Sequence, residues 1–169
     1  MKQEFIITQA LLKELLEYDA MTGIFNWKAP VNIGIKIGDV AGCIDKKGYS
    51  RIKIFGKKYL SHRLAWLYVF GHLPKSELDH ISGVKTDNRI SNLRPATRIQ
   101  NNCNTRIRKD NSSGFKGVSL RSDLNKWCAR ISVNGRRFFL GCFDTAEEAA
   151  AQYTKSAIEL HKDFYREAV

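Results

Sequence analysis

The hydrophobic pattern of the first third of the chain predicts a short helix followed by short strands. Leucines recur at helical spacing within residues 8–17, behind Thr8 as a candidate N-cap. Ile24–Trp27 has the length and composition of a strand. Basic and apolar residues alternate within residues 48–54 before a turn at residues 55–56. This alternation predicts a hairpin with one basic face and one apolar face.

The middle of the chain predicts a helix and then two strands and a second helix in close succession. The apolar segment Ser61–Phe70 predicts a helix that Gly71 ends. One short strand is predicted at residues 78–81, and a second begins at residues 92–94 after a polar loop. Thr97 is a candidate N-cap for the helix that follows.

The second half of the chain predicts a three-stranded sheet covered by one helix. Residues 115–121, 126–133 and 136–140 predict the strands, with a hairpin turn at residues 134–135. Residues 145–148 form a capping box that opens the helix. Its apolar stripe is Ala146, Ala149, Ala150, Tyr153, Ala157 and Leu160. The sheet face that it covers is predicted to hold Val118, Leu120, Trp127, Ala129, Ile131, Phe138 and Leu140. The opposite face is predicted to hold Ser119, Arg121, Lys126, Arg130, Ser132, Arg137 and Phe139.

The composition points to a globular chain that binds a polyanion. Of the 169 residues, 43% are hydrophobic and 27% charged, which is typical of folded domains rather than disordered ones. The formal net charge of +11 favours nucleic acid as the partner, although a solvated basic surface gives the same composition. We expect no membrane span and no signal peptide, and therefore a cytoplasmic location.

The four cysteines, Cys43, Cys103, Cys128 and Cys142, include no pair at the spacing of a zinc ribbon. No structural zinc is therefore expected. Cysteines of a cytoplasmic chain are expected to be reduced.

Residues suited to metal-assisted hydrolysis occur between positions 79 and 101. Asp79 and His80 are adjacent, Asn92 follows His80 by twelve residues, and Asn101 follows by nine more. Cleaving a phosphodiester requires an activated water and neutralisation of charge on the phosphate and leaving oxygen. Histidine suits the first task because its pKa lies near neutrality, and a hard cation held by oxygen ligands suits the second. The pattern predicts a metal-assisted phosphodiesterase.

At these residues the chain resembles the HNH endonuclease family, in its phage and homing-endonuclease branch. The resemblance implies a ββα-metal fold with the Asp79-His80 pair at the end of the first strand. It implies His80 as the general base, and Asp79 and Asn101 as ligands of Mg²⁺ or another divalent cation such as Mn²⁺. It also implies that Asn92 braces the connecting loop and orients His80. A phage-encoded enzyme of this kind would act in the host-cell cytoplasm.

Four further residues near this segment are secondary or unassigned candidates. Asn88, in the connecting loop, is a secondary catalytic candidate, and Asn104 is another. His62 and His72 have no assigned role, because a lone histidine is more often structural than functional.

Residues 113–160 resemble the plant ethylene-response-factor type of DNA-binding domain. The resemblance lies in residues 115–118, 126–127 and 140–150 together with Tyr153. It implies a sheet that enters the major groove of duplex DNA. The implied DNA contacts are Lys116, Arg121, Lys126, Arg130, Arg137 and Phe139. The preceding basic linker, with Arg106 and Arg108, is expected to follow the phosphate backbone.

The sequence therefore predicts an α+β chain, with a ββα-metal (HNH) nuclease module followed by a three-stranded antiparallel sheet packed on one helix. The predicted parts are an N-terminal helix and hairpin extension at 1–60, the nuclease core at 61–106, the linker at 107–113 and the DNA-binding domain at 114–165. The predicted function is a metal-dependent DNA endonuclease of homing type. Its partner is double-stranded DNA, not a membrane, and it is expected to be a monomer or weak dimer.

Two other functions compete with this prediction. One is a non-catalytic, sequence-specific DNA-binding protein or regulator whose HNH centre has decayed. The other is a protein that binds or cleaves RNA. The presence of Asp79, His80 and Asn101 argues against decay. The predicted sheet favours duplex DNA, since the major groove of A-form RNA is too deep and narrow to admit it.

Overall fold

The structure is a computed structural model that describes residues 6–31, 33–103, 107, 110–133, 135–161 and 164. The chain divides into two compact units, Met1–Pro95 and Ala96–Val169. Each has a hydrophobic core of its own. The boundaries expected at residues 60, 106 and 113 stay predictions. None of the described helices combines the length and apolar character needed to cross a membrane.

The first unit opens with helix α1, Gln9–Leu15, and a two-stranded hairpin. Thr8 caps the helix as predicted, because its Oγ1 accepts a hydrogen bond from the backbone N–H of Leu11 at 3.3 Å. The helix was expected to continue to residue 17, and this prediction was wrong. Residues 16–19 instead alternate buried and exposed side chains and form strand β1, Leu16–Asp19. It pairs in antiparallel fashion with β2, Ile24–Trp27.

A second sheet and a helix follow the hairpin. Strands β3, Cys43–Ile44, β4, Ser50–Ile54, and β5, Lys57–Leu60, form an antiparallel sheet in that order. The predicted apolar face is confirmed, since Ile52 and Ile54 are fully buried. Helix α2 comprises Ser61–Phe70. It ends as predicted at Gly71, which adopts a left-handed backbone and donates its N–H to the carbonyl of Leu67.

The apolar faces of these elements meet in one core. α1 and α2 contribute Leu12 and Leu64, which are fully buried. Other buried members from the strands are Leu16, Tyr18, Phe25, Trp27, Ile52 and Ile54. The β1–β2 hairpin, α2 and the predicted catalytic strand all lie in this first unit.

The predicted succession of strand, loop, strand and helix is present. Strand β6, Glu77–His80, pairs with β7, Leu93–Ala96, and a single 3₁₀ turn, Ile90–Asn92, leads into β7. Helix α3, Arg98–Cys103, follows. Thr97 opens it as predicted, because its Oγ1 accepts from the N–H of Gln100 while its own N–H donates to Oε1 of Gln100.

The second unit contains the predicted sheet and covering helix. Strands β8, Val118–Arg121, β9, Lys126–Val133, and β10, Arg136–Phe143, form an antiparallel sheet in the order β10-β9-β8. Helix α4, Ala146–His161, begins at the predicted capping box of Thr145 and Glu148. Asn134, half of the predicted turn, lies outside the described residues.

The predicted covered face of the sheet is present, but not all of its side chains are buried. The core holds Val118, Ala129 and Ile131, with Trp127 and Leu140 packed against it. Leu120 and Phe138, assigned to that core, are 48% and 47% exposed. The pairing register of β10 shifts between Phe139 and Gly141, so strict alternation fails along this strand. In α4, Leu160 of the predicted stripe is also exposed, because it lies in the last turn beyond the buried residues.

The expectation of reduced cysteines was wrong for one pair. Cys128 of β9 and Cys142 of β10 are direct cross-strand partners, and they form a disulfide. The pair was not apparent from spacing, because its geometry depends on the shifted register of β10. Cys43 is a free and exposed thiol.

Replacement of Gly117 by alanine should destabilise the second unit strongly. A Cβ at Gly117 would lie 2.2 Å from Cε2 of the buried Tyr153 and 2.6 Å from the carbonyl oxygen of Arg130. Overpacking of this kind costs about 1–3 kcal/mol, in addition to about 1–2 kcal/mol for the left-handed backbone. The free energy of unfolding from urea denaturation would measure the loss.

Gly114→Ala is the matched control. Gly114 has a nearly identical positive φ, but a Cβ there would have no neighbour within 4 Å. It should lose only the backbone contribution of about 1–2 kcal/mol. Equal losses for the two variants would contradict the predicted clash.

Candidate active site

The two residues of the Asp-His pair lie at the end of β6 and point to different partners. Asp79 and His80 are only 3% and 5% exposed. Successive residues of a strand face opposite sides, and here His80 faces the connecting loop while Asp79 faces the neighbouring strand β7. The pair is therefore held from two sides within the first unit.

His80 is held by Asn88. The Nε2 of His80 lies 3.2 Å from Oδ1 of Asn88, and both side chains are buried. The Nδ2 of Asn88 donates to the carbonyl of Thr86, which turns Oδ1 towards the imidazole. Nε2 must then donate, so it carries the ring proton and Nδ1 carries the lone pair. Burial lowers the pKa of His80, against the hydrogen bond to Asn88 and the charge of Asp79, which raise it.

Asn92 joins the two ends of the connecting loop. Its Oδ1 accepts from the N–H of Ser82 at 2.8 Å, and its Nδ2 donates to the carbonyl of Asp87 at 2.8 Å. Its backbone carbonyl accepts from the N–H of Ile81 at 2.8 Å. The side chain in direct contact with the His80 ring is thus that of Asn88, whereas Asn92 closes the loop.

Asp79 forms an ion pair that was not predicted. Both Nε and Nη2 of Arg94 donate to Oδ2 of Asp79, at 2.9 and 2.8 Å. Both side chains are largely shielded from solvent. The guanidinium orients the carboxylate and offsets its charge. Arg94 carried no sequence signal beyond its place in the predicted second strand.

The donor chemistry of the predicted ligands fits a divalent cation. Asp79 offers a carboxylate and Asn101 an amide oxygen, and hard cations such as Mg²⁺ prefer oxygen. Asn101 lies in α3 of the second unit and is half-buried. Among the described residues, no group of three or more histidines, cysteines or acids is arranged to hold a metal. The ligand set therefore stays a prediction, as does the absence of structural zinc.

A second histidine contacts His80. His62, at the start of α2, is buried, and its ring packs edge-on against His80 with centroids 4.9 Å apart. The Tyr49 ring lies beside both, at 5.6 Å from His62 and 6.1 Å from His80. Burial and the neighbouring His80 lower the pKa of His62 to about 3. His72 is exposed, and its Nδ1 lies 3.2 Å from the carbonyl of Leu73.

The predicted DNA contacts of the second unit are mostly exposed. Arg121 pairs with Asp123 at 2.9 Å, and Lys126 pairs with Asp144 at 3.2 Å. Arg130 and Phe139 are cross-strand partners, and Arg137 lies opposite Ser132. All of these are exposed, and Lys116 is half-buried. Arg106, Arg108 and Asn104 lie outside the described residues.

Comparison with known proteins gives the family. Residues 59–103 match a family model described as HNH endonuclease. The chain is 31% identical to Protein 3.8 of Escherichia phage T7 over 68% of its own length and 94% of that protein. It is 35% identical to an uncharacterised HNH endonuclease of Acanthamoeba polyphaga mimivirus, over 72% of its own length and 63% of that protein. The chain belongs to the HNH endonuclease family.

This HNH endonuclease has two further similarities. It is 42% identical to an ethylene-responsive transcription factor of Arabidopsis thaliana, over 30% of its own length and 34% of that protein. A solved structure of DNA binding and cleavage by the HNH homing endonuclease I-HmuI is 24% identical with a TM-score of 0.41, over 85% of this chain and 75% of the other. A likeness of that size establishes neither a shared fold nor a shared activity.

Membership of the family supports a nuclease that acts on DNA. The matched segment of this HNH endonuclease contains the Asp79-His80 pair, the loop that carries Asn88, and Arg94. It also contains His62, which sequence reasoning left open. The individual catalytic and metal-binding roles stay predictions.

The buried His62 should make the fold sensitive to mild acid. Its folded pKa of about 3 lies below the ordinary histidine pKa of about 6.5. The unfolded chain therefore binds more protons as the pH falls through 6.5, and stability is lost between about pH 6.5 and 3. At 1.36 kcal/mol per pKa unit, about 2 kcal/mol should be lost between about pH 7 and pH 5.

His62→Phe keeps a ring of similar size and should remove the part of the loss that comes from His62, while His80, whose pKa burial also lowers, keeps its own contribution. Urea denaturation of both proteins at the two pH values would measure it. His72→Phe, which changes an exposed histidine, should leave the pH dependence as in the wild type. A pH dependence that is unchanged in His62→Phe would show that His62 is not the titrating group.

Proposed function

We propose that this chain is a metal-dependent DNA endonuclease of homing type that nicks or cuts duplex DNA and is positioned by its C-terminal unit. The observation that carries the proposal is the arrangement around His80. A buried imidazole donates from Nε2 to Asn88, lies beside the Asp79–Arg94 ion pair, and falls in the segment that matches the family. Its double-stranded DNA partner, its monomeric or weakly dimeric state and its cytoplasmic location are parts of the same proposal.

His80 is the proposed general base. With the ring proton on Nε2, the lone pair of Nδ1 is the one that can take a proton from water. The lowered pKa keeps the ring neutral at neutral pH, which a base requires. The water oxygen then forms a bond to phosphorus, the bond from phosphorus to the leaving sugar oxygen breaks, and that oxygen takes up a proton. Asn88 fixes the ring orientation throughout.

Asp79 and Asn101 are the residues proposed to hold a divalent cation, Mg²⁺ or Mn²⁺. Bound there, the cation would supply neutralisation of charge on the phosphate and on the leaving oxygen. Arg94 supports this role by fixing the orientation of the Asp79 carboxylate.

His80→Ala should abolish cleavage while it leaves DNA binding intact. Loss of a general base lowers a rate by about 10²–10⁴-fold. The measurement is conversion of supercoiled plasmid to open circles with Mg²⁺ or Mn²⁺, with EDTA as the metal-free control and a gel shift for binding. His72→Ala, at an exposed histidine, should cleave like the wild type.

Nicking by folded His80→Ala at the wild-type rate would disprove the assignment of the base. Linear product from the wild type would indicate paired cuts. A plasmid that is bound but intact would call for a genomic fragment library as the substrate. If that library also survived, the non-catalytic DNA-binding protein would become the better explanation.

The exposed face of the C-terminal sheet is the proposed DNA contact. It presents Arg130 and Arg137 on adjacent strands with the exposed ring of Phe139 between them. The opposite face is covered by α4. The similarity to an ethylene-responsive transcription factor supports this use of the sheet.

Arg130→Ala with Arg137→Ala should weaken binding to duplexes of any sequence. Each lost phosphate contact should reduce the slope of log affinity against log salt concentration by about 0.9. Fluorescence anisotropy across a salt series would measure it. Lys155→Ala, on exposed α4 away from the sheet face, removes a positive charge in the same unit and should leave the slope unchanged. If Lys155→Ala reduced the slope as much, per charge removed, as the two arginine substitutions, binding would depend only on net charge.

A further inference from the structure

The N-terminal β1–β2 hairpin contacts the loop that carries Asn88. The phenolic Oη of Tyr18, in β1, donates a hydrogen bond to the backbone carbonyl of Asn88 at 2.7 Å. Both residues are buried, and they lie 70 positions apart in the chain. Burial raises the pKa of Tyr18 to about 12, against a hydrogen bond with the Ile90 backbone. The phenol therefore remains a neutral donor at neutral pH.

The turn of the same hairpin also abuts this loop. A Cβ at Gly23 would lie 2.4 Å from the N of Arg89 and 2.5 Å from the carbonyl carbon of Asn88. Only a residue without a side chain permits this approach, and its φ of +75° also favours glycine. Asp19 closes the turn, since it accepts from the N–H of Met21 and the hydroxyl of Thr22. The peptide that joins Asn88 to Arg89 thus packs directly against a hydrogen-bonded turn.

Asn88 transmits these contacts to the imidazole. Its backbone carbonyl is fixed by Tyr18 and its peptide by Gly23, while its side chain accepts from Nε2 of His80 at 3.2 Å. A displacement of the Asn88 backbone would move Oδ1 away from Nε2. The ring could then rotate or exchange its proton between the two nitrogens.

We propose that the β1–β2 hairpin positions the general base, with Tyr18 as a positioning residue that acts on His80 through Asn88. This inference rests on the proposed role of His80 as the base. It assigns a part in catalysis to an N-terminal element that precedes the family-matched segment.

Tyr18 also packs in the core, so the experiment has to separate packing from positioning. Its ring lies 4.7 Å from that of Phe25 and 5.6 Å from that of Tyr68, centroid to centroid. Tyr18→Phe keeps the ring and removes only the hydroxyl. The matched control is Gln9→Ala, which removes another hydrogen bond from a side chain to a distant backbone carbonyl in the same unit, that of Tyr68.

Tyr18→Phe should lower kcat by about ten- to a hundredfold, the size of effect that follows a misplaced catalytic group, and leave KM within about twofold. Gln9→Ala should leave kcat within about twofold of the wild type even if it loses as much stability. In the Asn88→Ala background Tyr18→Phe should have no further effect on kcat, because the two changes interrupt one chain of contacts. An additive effect, or an equal loss in Gln9→Ala, would overturn the proposal.

A second readout does not need cleavage. In the DNA-free protein, nitrogen NMR of the His80 ring should show one tautomer, protonated at Nε2, and Tyr18→Phe should shift it towards a mixture. An unchanged tautomer and an unchanged kcat in Tyr18→Phe would disprove positioning. If His80→Ala cleaved normally while Tyr18→Phe still altered the tautomer, the role of His80 would be wrong but the structural link would stand.

Discussion

The hydrogen bond from Nε2 of His80 to Asn88 is the contact on which the candidate site depends. An imidazole can take up a proton only at the nitrogen that carries none, and this bond determines which one that is. Burial disfavours the charged ring and lowers the pKa of His80, which suits the proposed role as a base. The remaining contacts follow from these two requirements. Asn92 closes the loop, and His62 fills the space beside the ring without adding charge.

The sequence allowed the local elements to be predicted well because their signals are themselves local. The predicted N-caps Thr8, Thr97 and Thr145 each cap a helix, and Gly71 ends α2 as predicted. Errors arose where a partner distant in the chain decides the conformation. Leu16 continues a helical pattern, yet it pairs with Trp27 as a strand. In β10 a shift in register, which alternation does not reveal, makes Cys142 the direct partner of Cys128.

The candidate site shows the same limit. Spacing and family resemblance identified Asp79, His80 and the loop asparagines, since these lie within one short segment. They could not show that Asn88, rather than Asn92, contacts the ring. They also could not predict the ion pair between Arg94 and Asp79 or the ring contact between His62 and His80. A lone arginine or histidine has no distinctive spacing in the sequence. The hydrogen bond from Tyr18 to the Asn88 carbonyl could not be predicted from the sequence either, since it joins two distant parts of the chain that share no motif.

The separation of 70 positions between Tyr18 and Asn88 has a consequence for how the first unit forms during synthesis. The hairpin leaves the ribosome first, and the loop reaches it only after the intervening sheet and helix α2 have been made. Closing so long a segment is slow compared with forming any one of the local elements. A nascent or partly unfolded chain therefore contains the Asp-His pair without its supports. The proposed orientation of the His80 ring is therefore tied to completion of the first unit.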